Sequence, residues 1–319
     1  MSDLVLFWHR SDLRVADNVG LSAACGRTAK VVGVFCLDPN ILERDDIAPA
    51  RVTYMIGCLQ ALRGRYRDLG GQLLVLRDRP VKIIPQLARE LGAKSVFWNN
   101  DVEPYSKERD EAVEEALKEV GIEVCTFWDR LLHAPGAVLT SSKTPYTVYT
   151  PFWKSWIAEE KAPPVGEPES LEKLSATEAE TARNCGAIDL PSAKDLGFVW
   201  DVPLLLEPGE TAARERLEEF CQNALLDYEQ SRDFPYLDGT SRLSAALKFG
   251  AIGIREVWQA TVEAMEFSRS DESRDSITTW RQELAWREFY QCAMYFFPEL
   301  ANGPYREKWQ DFPWEHTEE

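Results

Sequence analysis

The chain has 319 residues, 45% of them apolar, 28% charged and 11% aromatic, a composition that supports a packed core and excludes a disordered or fibrous protein. At about 150 residues per domain, two domains are expected. Thirty-six Lys and Arg against 53 Asp and Glu give a net charge of -17. That excludes attachment to nucleic acid or an anionic membrane by bulk charge alone, so any nucleic-acid site must be a local basic patch.

The N-terminus MSDLVLFWHRSDLR turns charged after one short apolar run and lacks a signal-peptide core. No later run approaches the roughly 18 apolar residues of a membrane span, so a soluble, cytoplasmic protein with no membrane partner is expected. Strand-like runs then follow at Leu4–Trp8, Val31–Phe35, Leu73–Leu76, Ser95–Trp98 and Ile122–Phe127. Between them Val52, Met55, Ile56, Leu59, Leu62, Tyr66 and Leu69 keep helical spacing, as do Val113, Ala116, Leu117 and Val120. This repeated strand-helix-strand pattern over 1–130 predicts a doubly wound, Rossmann-like α/β domain with a parallel sheet. In such sheets ligands sit beyond the carboxyl ends of the strands, which directs attention to Trp8-His9-Arg10, Cys36-Leu37-Asp38 and Asn99 to Glu103. No G-x-G-x-x-G follows the first strand and no Walker G-x-x-x-x-G-K occurs, so the usual phosphate loops are missing.

From 131 to 209 nine prolines, Pro135 through Pro208, interrupt any long periodic element, and a long connector is expected. Beyond it, in 210–319, helical spacing takes over: Ala213, Leu217, Phe220, Ala224 and Leu225 share one face, and 276–297 forms another helix. Residues 201–319 hold 24 acidic against 12 basic side chains, so the helical part carries most of the acidity. The seven cysteines lack C-x-x-C spacing and read as reduced, mostly buried thiols. His9, His133 and His316 are too far apart to suggest a metal pair, and no metal is expected.

Two stretches carry chemistry. In Asp238-Gly239-Thr240-Ser241-Arg242-Leu243-Ser244, just before an apolar helix, the Thr and Ser hydroxyls can cap free helix amides, which is their commoner use. The same amides beside an Arg can instead hold a phosphate. In WRQELAWREFY, residues 280–290, helical spacing puts Glu283, Trp286, Arg287 and Tyr290 on one face. They could stack and hydrogen-bond a flat ring; the more frequent arrangement is an aromatic core stripe with a solvated Glu283–Arg287 pair.

With FWHRSDLRVADN at 7–18, these stretches resemble the DNA photolyase/cryptochrome family from residue 4 to about 314. The nearest branch is the class I cyclobutane pyrimidine dimer photolyases of the deazaflavin-antenna type. The resemblance implies an antenna domain at 1–130, a connector at 131–209 and an all-α FAD-binding domain from 210. It implies light-driven repair of pyrimidine dimers in DNA, with a cryptochrome-like blue-light sensor or a non-catalytic chromophore-binding remnant as the alternatives. Carried over by motif, Tyr228, Thr240, Ser241, Arg242, Leu243, Ser244, Trp280, Glu283, Leu284 and Arg287 would hold FAD. Arg232 would meet a DNA phosphate, Glu283 would bond the damaged bases and Trp286 would pack against the dimer. Trp309 falls where the family has the outer tryptophan of an electron-transfer chain. Cys36, Asp38, Arg51, Asp101, Glu103, Arg109, Lys248 and Phe249 match antenna positions, for 8-hydroxy-5-deazaflavin or alternatively methenyltetrahydrofolate.

Family members continue well beyond the last residue here, Glu319. A truncated chain with an incomplete FAD domain and weak or no FAD binding of its own is therefore expected, as a monomer whose missing C-terminal half would supply most of the DNA surface.

Overall fold

The computed structural model describes residues 3–304, 306–309 and 312–313. Five strands, β1 (Val5–His9), β2 (Val31–Cys36), β3 (Leu73–Leu76), β4 (Ser95–Asn99) and β5 (Glu123–Phe127), pair in parallel in the order β5-β4-β1-β2-β3. Every residue of β1, β2 and β4 is buried, which is why they read as unbroken apolar runs: helices cover both faces. Alternation along β1 sends Leu6 and Trp8 to one core and Val5 and Phe7 to the other.

The covering helices are α1 (Val19–Cys25), α2 (Pro39–Leu42), α3 (Pro49–Asp68), α4 (Pro80–Glu90) and α5 (Pro104–Glu119). All but α1 begin with proline, whose fixed φ and missing N–H suit the first helical position. α1 is capped by Asn18, whose side chain accepts from the Leu21 amide at 3.1 Å.

The connector is more ordered than its prolines suggest. It contains α6 (Tyr149–Ala158), α7 (Ala176–Asn184) and a two-residue strand, β6 (Ala187–Ile188), which pairs antiparallel with β3 at the sheet edge. Pro151 sits in the first turn of α6, where no helical N–H is needed, and the other eight prolines fall between these elements, so they set boundaries without preventing local structure. The helical part comprises α8 (Glu210–Asn223), α9 (Tyr228–Ser231), α10 (Ser244–Phe249), α11 (Ile254–Phe267) and α12 (Asp271–Phe296). Of the described residues, no helix is long and apolar enough to cross a membrane. Cys36, Cys58 and Cys185 are buried and the other four cysteines half-buried, all as free thiols.

The loop after β1 fastens the two halves together. Arg14 reaches Asp129 at 2.6 Å and the Gly250 carbonyl at 3.2 Å, while Arg255 of α11 bonds Asp17 and Asp129, each at 2.6 Å. All four side chains are almost fully buried. The Val15 and Ala16 amides donate to Glu210 at the start of α8. His9 is spent internally, bonded to the Tyr66 hydroxyl at 2.8 Å and the Asp12 carbonyl at 3.0 Å. The 7–18 stretch is therefore a clasp that fixes the helical part against the sheet.

Candidate functional site

α12 carries the central residues. Trp280 and Leu284 face inward, 3% and 5% exposed, with Trp280 against Phe220 of α8 at 4.9 Å. They form a floor beneath the partly exposed Glu283 and Trp286.

Glu283 does not pair with Arg287. It accepts from Arg232, just after α9, at 2.6 Å, and the Arg232 guanidinium also lies 5.7 Å over the Tyr228 ring. The expected Glu283–Arg287 pair is therefore replaced, because the Arg287 guanidinium is spent on backbone carbonyls, donating to those of Arg130 at 2.8 Å and Leu247 at 3.5 Å. Burial, with Arg130 adding to it, lowers the Arg287 pKa to about 10. Trp286 is stacked on Tyr149, with ring centroids 3.5 Å apart and planes 7° apart, and on Tyr290 at 5.5 Å.

The 238–244 loop is not capped as expected. Leu243 is the N-cap of α10 and makes no side-chain cap; the Ser241 hydroxyl accepts only from the Leu243 amide, at 3.5 Å. Arg242, at φ 54, bends the chain away from helical geometry and its guanidinium meets Asp238 at 2.9 Å. Arg216 of α8 braces the loop from below through the Thr240 and Ser241 carbonyls and Asp238. Thr240, Arg242 and Ser244 are exposed. The loop thus presents hydroxyls, a guanidinium and uncapped helix amides outward, beside the Tyr228–Arg232 turn.

Most of the residues expected at the strand ends cluster there. Tyr105 donates to Asp38 at 2.6 Å, Arg109 lies 5.7 Å over the Tyr105 ring and 4.9 Å over Trp8, and the Cys36 thiol donates to the Asp78 carbonyl at 3.0 Å. Burial and the bond to Asp38 raise the Tyr105 pKa to about 12, and burial raises that of Cys36 to about 12. Glu103 and Lys248 face each other at 4.0 Å across the two halves, and Phe249 packs on Tyr54 at 5.8 Å. Arg51 is exposed. Asp101 stands apart: it is committed to Arg130 at 2.5 Å, with both side chains about nine-tenths buried.

Trp309 lies on a short 3-10 turn, 43% exposed, beside Phe312 at 5.5 Å and Lys308 at 5.0 Å. His316 lies outside the described residues.

Sequence reasoning missed three positions. Tyr149 gives no signal because its partner is remote in sequence. Tyr105 follows Glu103-Pro104 and could have been found as the first turn of a helix at a strand end. Glu288, 2% exposed, accepts from the Leu132 amide at 2.7 Å, from His133 and from the Trp156 indole at 2.8 Å. It fixes the connector to α12, which spacing within WRQELAWREFY cannot reveal.

The chain is similar to known proteins along its whole length. The family described as DNA photolyase matches residues 5–169. A deoxyribodipyrimidine photo-lyase from Synechococcus sp. (strain ATCC 27144) is 54% identical, over 100% of this chain and 66% of that protein. An uncharacterized 31.6 kDa protein from Synechococcus sp. (strain PCC 6716) is 52% identical over 90% of this chain and 99% of its own length. Among solved structures, a bacterial class III photolyase from Agrobacterium tumefaciens aligns with a TM-score of 0.85 at 29% identity, covering 99% of this chain and 64% of that one. The chain spans about two thirds of the length of the photo-lyases it matches.

Proposed function

Because the chain belongs to the DNA photolyase family, we propose that it serves light-driven repair of cyclobutane pyrimidine dimers in DNA. The observation that carries this reading is the convergence of a carboxylate, an indole and a guanidinium, Glu283, Trp286 and Arg232, on the accessible side of α12. A dimer flipped from the duplex offers an apolar face for an indole and base edges for a carboxylate, and its flanking backbone offers phosphates for an arginine.

The residues present fit FAD on the side seen here. The uncapped start of α10, the Ser241 and Ser244 hydroxyls, Thr240 and Arg242 suit its phosphates and ribitol. Tyr228, Leu243, Trp280, Leu284 and Arg287 would complete the half-pocket, Trp280 and Leu284 as its buried floor. The chemistry that FAD supplies when reduced and excited by light is donation of one electron. Arg232 orients the strand by its phosphate, Trp286 excludes water from the dimer face, and Glu283 hydrogen-bonds the bases as negative charge builds on them. Trp309 would be the solvent-side end of a tryptophan chain feeding electrons inward.

A second chromophore would sit at the strand ends, where Asp38 and Arg109 flank Tyr105 and where Cys36, Arg51, Glu103, Lys248 and Phe249 would complete the site. The cationic and phenolic groups suit 8-hydroxy-5-deazaflavin, whose ring is flat and carries an ionisable hydroxyl; Asp101 would act only through Arg130.

The test is an absorption spectrum after reconstitution with FAD, then illumination with a thymine-dimer oligonucleotide. It is run on this chain and on the chain joined to the last third of the Synechococcus photo-lyase. Bound flavin with light-dependent loss of dimers in either supports repair. Bound flavin without repair in both turns the reading to a light sensor.

A further inference from the structure

We infer that Tyr149 is a displaceable lid on Trp286, occupying the face on which a flipped dimer would pack; this rests on the reading of Trp286 as the packing surface. With centroids 3.5 Å apart and planes 7° apart, the two rings are in contact and no third ring fits between them. The opposite face is stacked on Tyr290, one turn further along the same helix, at 5.5 Å and 22°. Tyr290 belongs to α12 itself, whereas Tyr149 comes from the connector and reaches Trp286 from a separate element.

Its attachment suits a part that swings. Tyr149 is the first residue of α6, and its N-cap, Val148, makes no side-chain cap. Thr147, Val148 and Thr150 around it are exposed, Val148 at 57%. The rest of α6 is anchored: Phe152 and Trp156 are buried, and the Trp156 indole donates to Glu288 at 2.8 Å. The lid therefore sits at the uncapped, solvent-flanked start of a helix whose far end is anchored. Beyond the stack it is held by one hydrogen bond, from the tyrosine hydroxyl to the Gln282 carbonyl of α12 at 2.8 Å, and by an edge contact with the Phe289 ring at 5.9 Å. A solvent-facing aromatic stack and one hydroxyl bond are both interactions that an incoming dimer can replace in kind.

A lid on the packing face also discriminates. Undamaged duplex touches Arg232 through phosphate alone and leaves Tyr149 in place, whereas a flipped dimer must displace it. Removing the lid should therefore strengthen dimer binding without strengthening binding to intact DNA.

The test measures dark binding of the 319-residue chain to matched oligonucleotides, one with a single cis-syn thymine dimer and one intact, by fluorescence anisotropy. Tyr149→Ala should tighten dimer binding about tenfold, the scale of one aromatic stack plus a hydroxyl bond, and leave intact DNA unchanged. Tyr149→Phe, which keeps the ring and the packing but loses the hydroxyl bond, should tighten it by a smaller factor, and answers the question if the alanine variant misfolds. Weaker or unchanged dimer binding in both variants overturns the lid. Trp286→Ala separates the two ideas: if it leaves dimer binding unchanged, the packing role of Trp286 falls and the lid with it. If it weakens dimer binding while the Tyr149 variants do not tighten it, only the lid falls. Absence of dimer-specific binding in every variant, including the lidless ones, overturns both.

Discussion

Glu283 and Arg232 bond each other across 2.6 Å on the open side of α12, each between a third and a half exposed. The two groups assigned to base and phosphate are thus partnered to one another before DNA arrives. An exposed pair of this kind contributes about 0–1 kcal/mol, so a phosphate can take Arg232 at little cost and release Glu283 toward the bases. Arg232→Ala should weaken binding to damaged and intact DNA alike and lower the slope of log K against log salt by about one. Salt titrations of the wild type and the variant check it; an unchanged slope removes Arg232 from the phosphate contact.

The buried cluster of Arg14, Asp17, Asp129 and Arg255 joins the sheet domain to α11. Removing one partner leaves a charge buried without compensation, which costs about 3–5 kcal/mol. Arg255→Leu should therefore lower the denaturation midpoint sharply. It should also split the unfolding transition in two, because the sheet domain keeps its own core on the face lined by Leu6, Trp8 and Trp98. A single transition at the wild-type midpoint would contradict the clasp.

Gly250 ends α10 at φ 66, and a Cβ there would collide with the Ser11 carbonyl and Asp12 of the clasp. Gly92 has nearly the same φ, 65, with open space around its Cβ position. Gly92→Ala should cost only the backbone strain, about 1 kcal/mol, and Gly250→Ala several-fold more. Paired denaturation curves decide; equal losses would mean that the two halves are not pressed together at this point.

Asp12 is buried between the Arg10 amide at 2.7 Å and the Asn99 amide at 2.6 Å, with His9 beside it. Burial alone would raise its pKa, but the bonds from His9, Arg10 and Asn99 outweigh that and lower it from 3.8 to about 2. The folded value lies below the unfolded one, so the stabilisation is fully present above about pH 4 and is lost as pH falls from 3.8 toward 2. Its size is on the order of 2 kcal/mol. Asp12→Asn should be less stable at neutral pH and show a flatter acid-unfolding profile across that window; an unaltered profile would contradict this role.

Much of the fold could be read from the sequence because its signals are local. Unbroken apolar runs such as Leu4–Trp8 mark strands buried on both faces, and the periodicity around Leu59 and Leu62 marks α3, where both are fully buried. β6 could not be read, because Ala187-Ile188 is a strand only through its pairing with β3. On α12, spacing put Glu283 and Trp286 on the same face, but partners at the i+4 position are only one option. Arg232 reaches Glu283 from 51 residues away, and Arg287 finds carbonyls instead of a carboxylate. Capping failed at Thr240 to Ser244 because the chain turns at Arg242, φ 54, and the residue at the N-cap is Leu243, whose side chain has no acceptor.

The most direct measurement compares light-dependent loss of thymine dimers by the wild type and by Glu283→Ala, at saturating FAD and DNA, with the flavin spectrum recorded for both. Glu283→Ala should leave the flavin spectrum unchanged and slow repair at least about tenfold, as when a group facing developing charge is removed. Repair at the wild-type rate would show that the accessible side of α12 is not where the dimer is split.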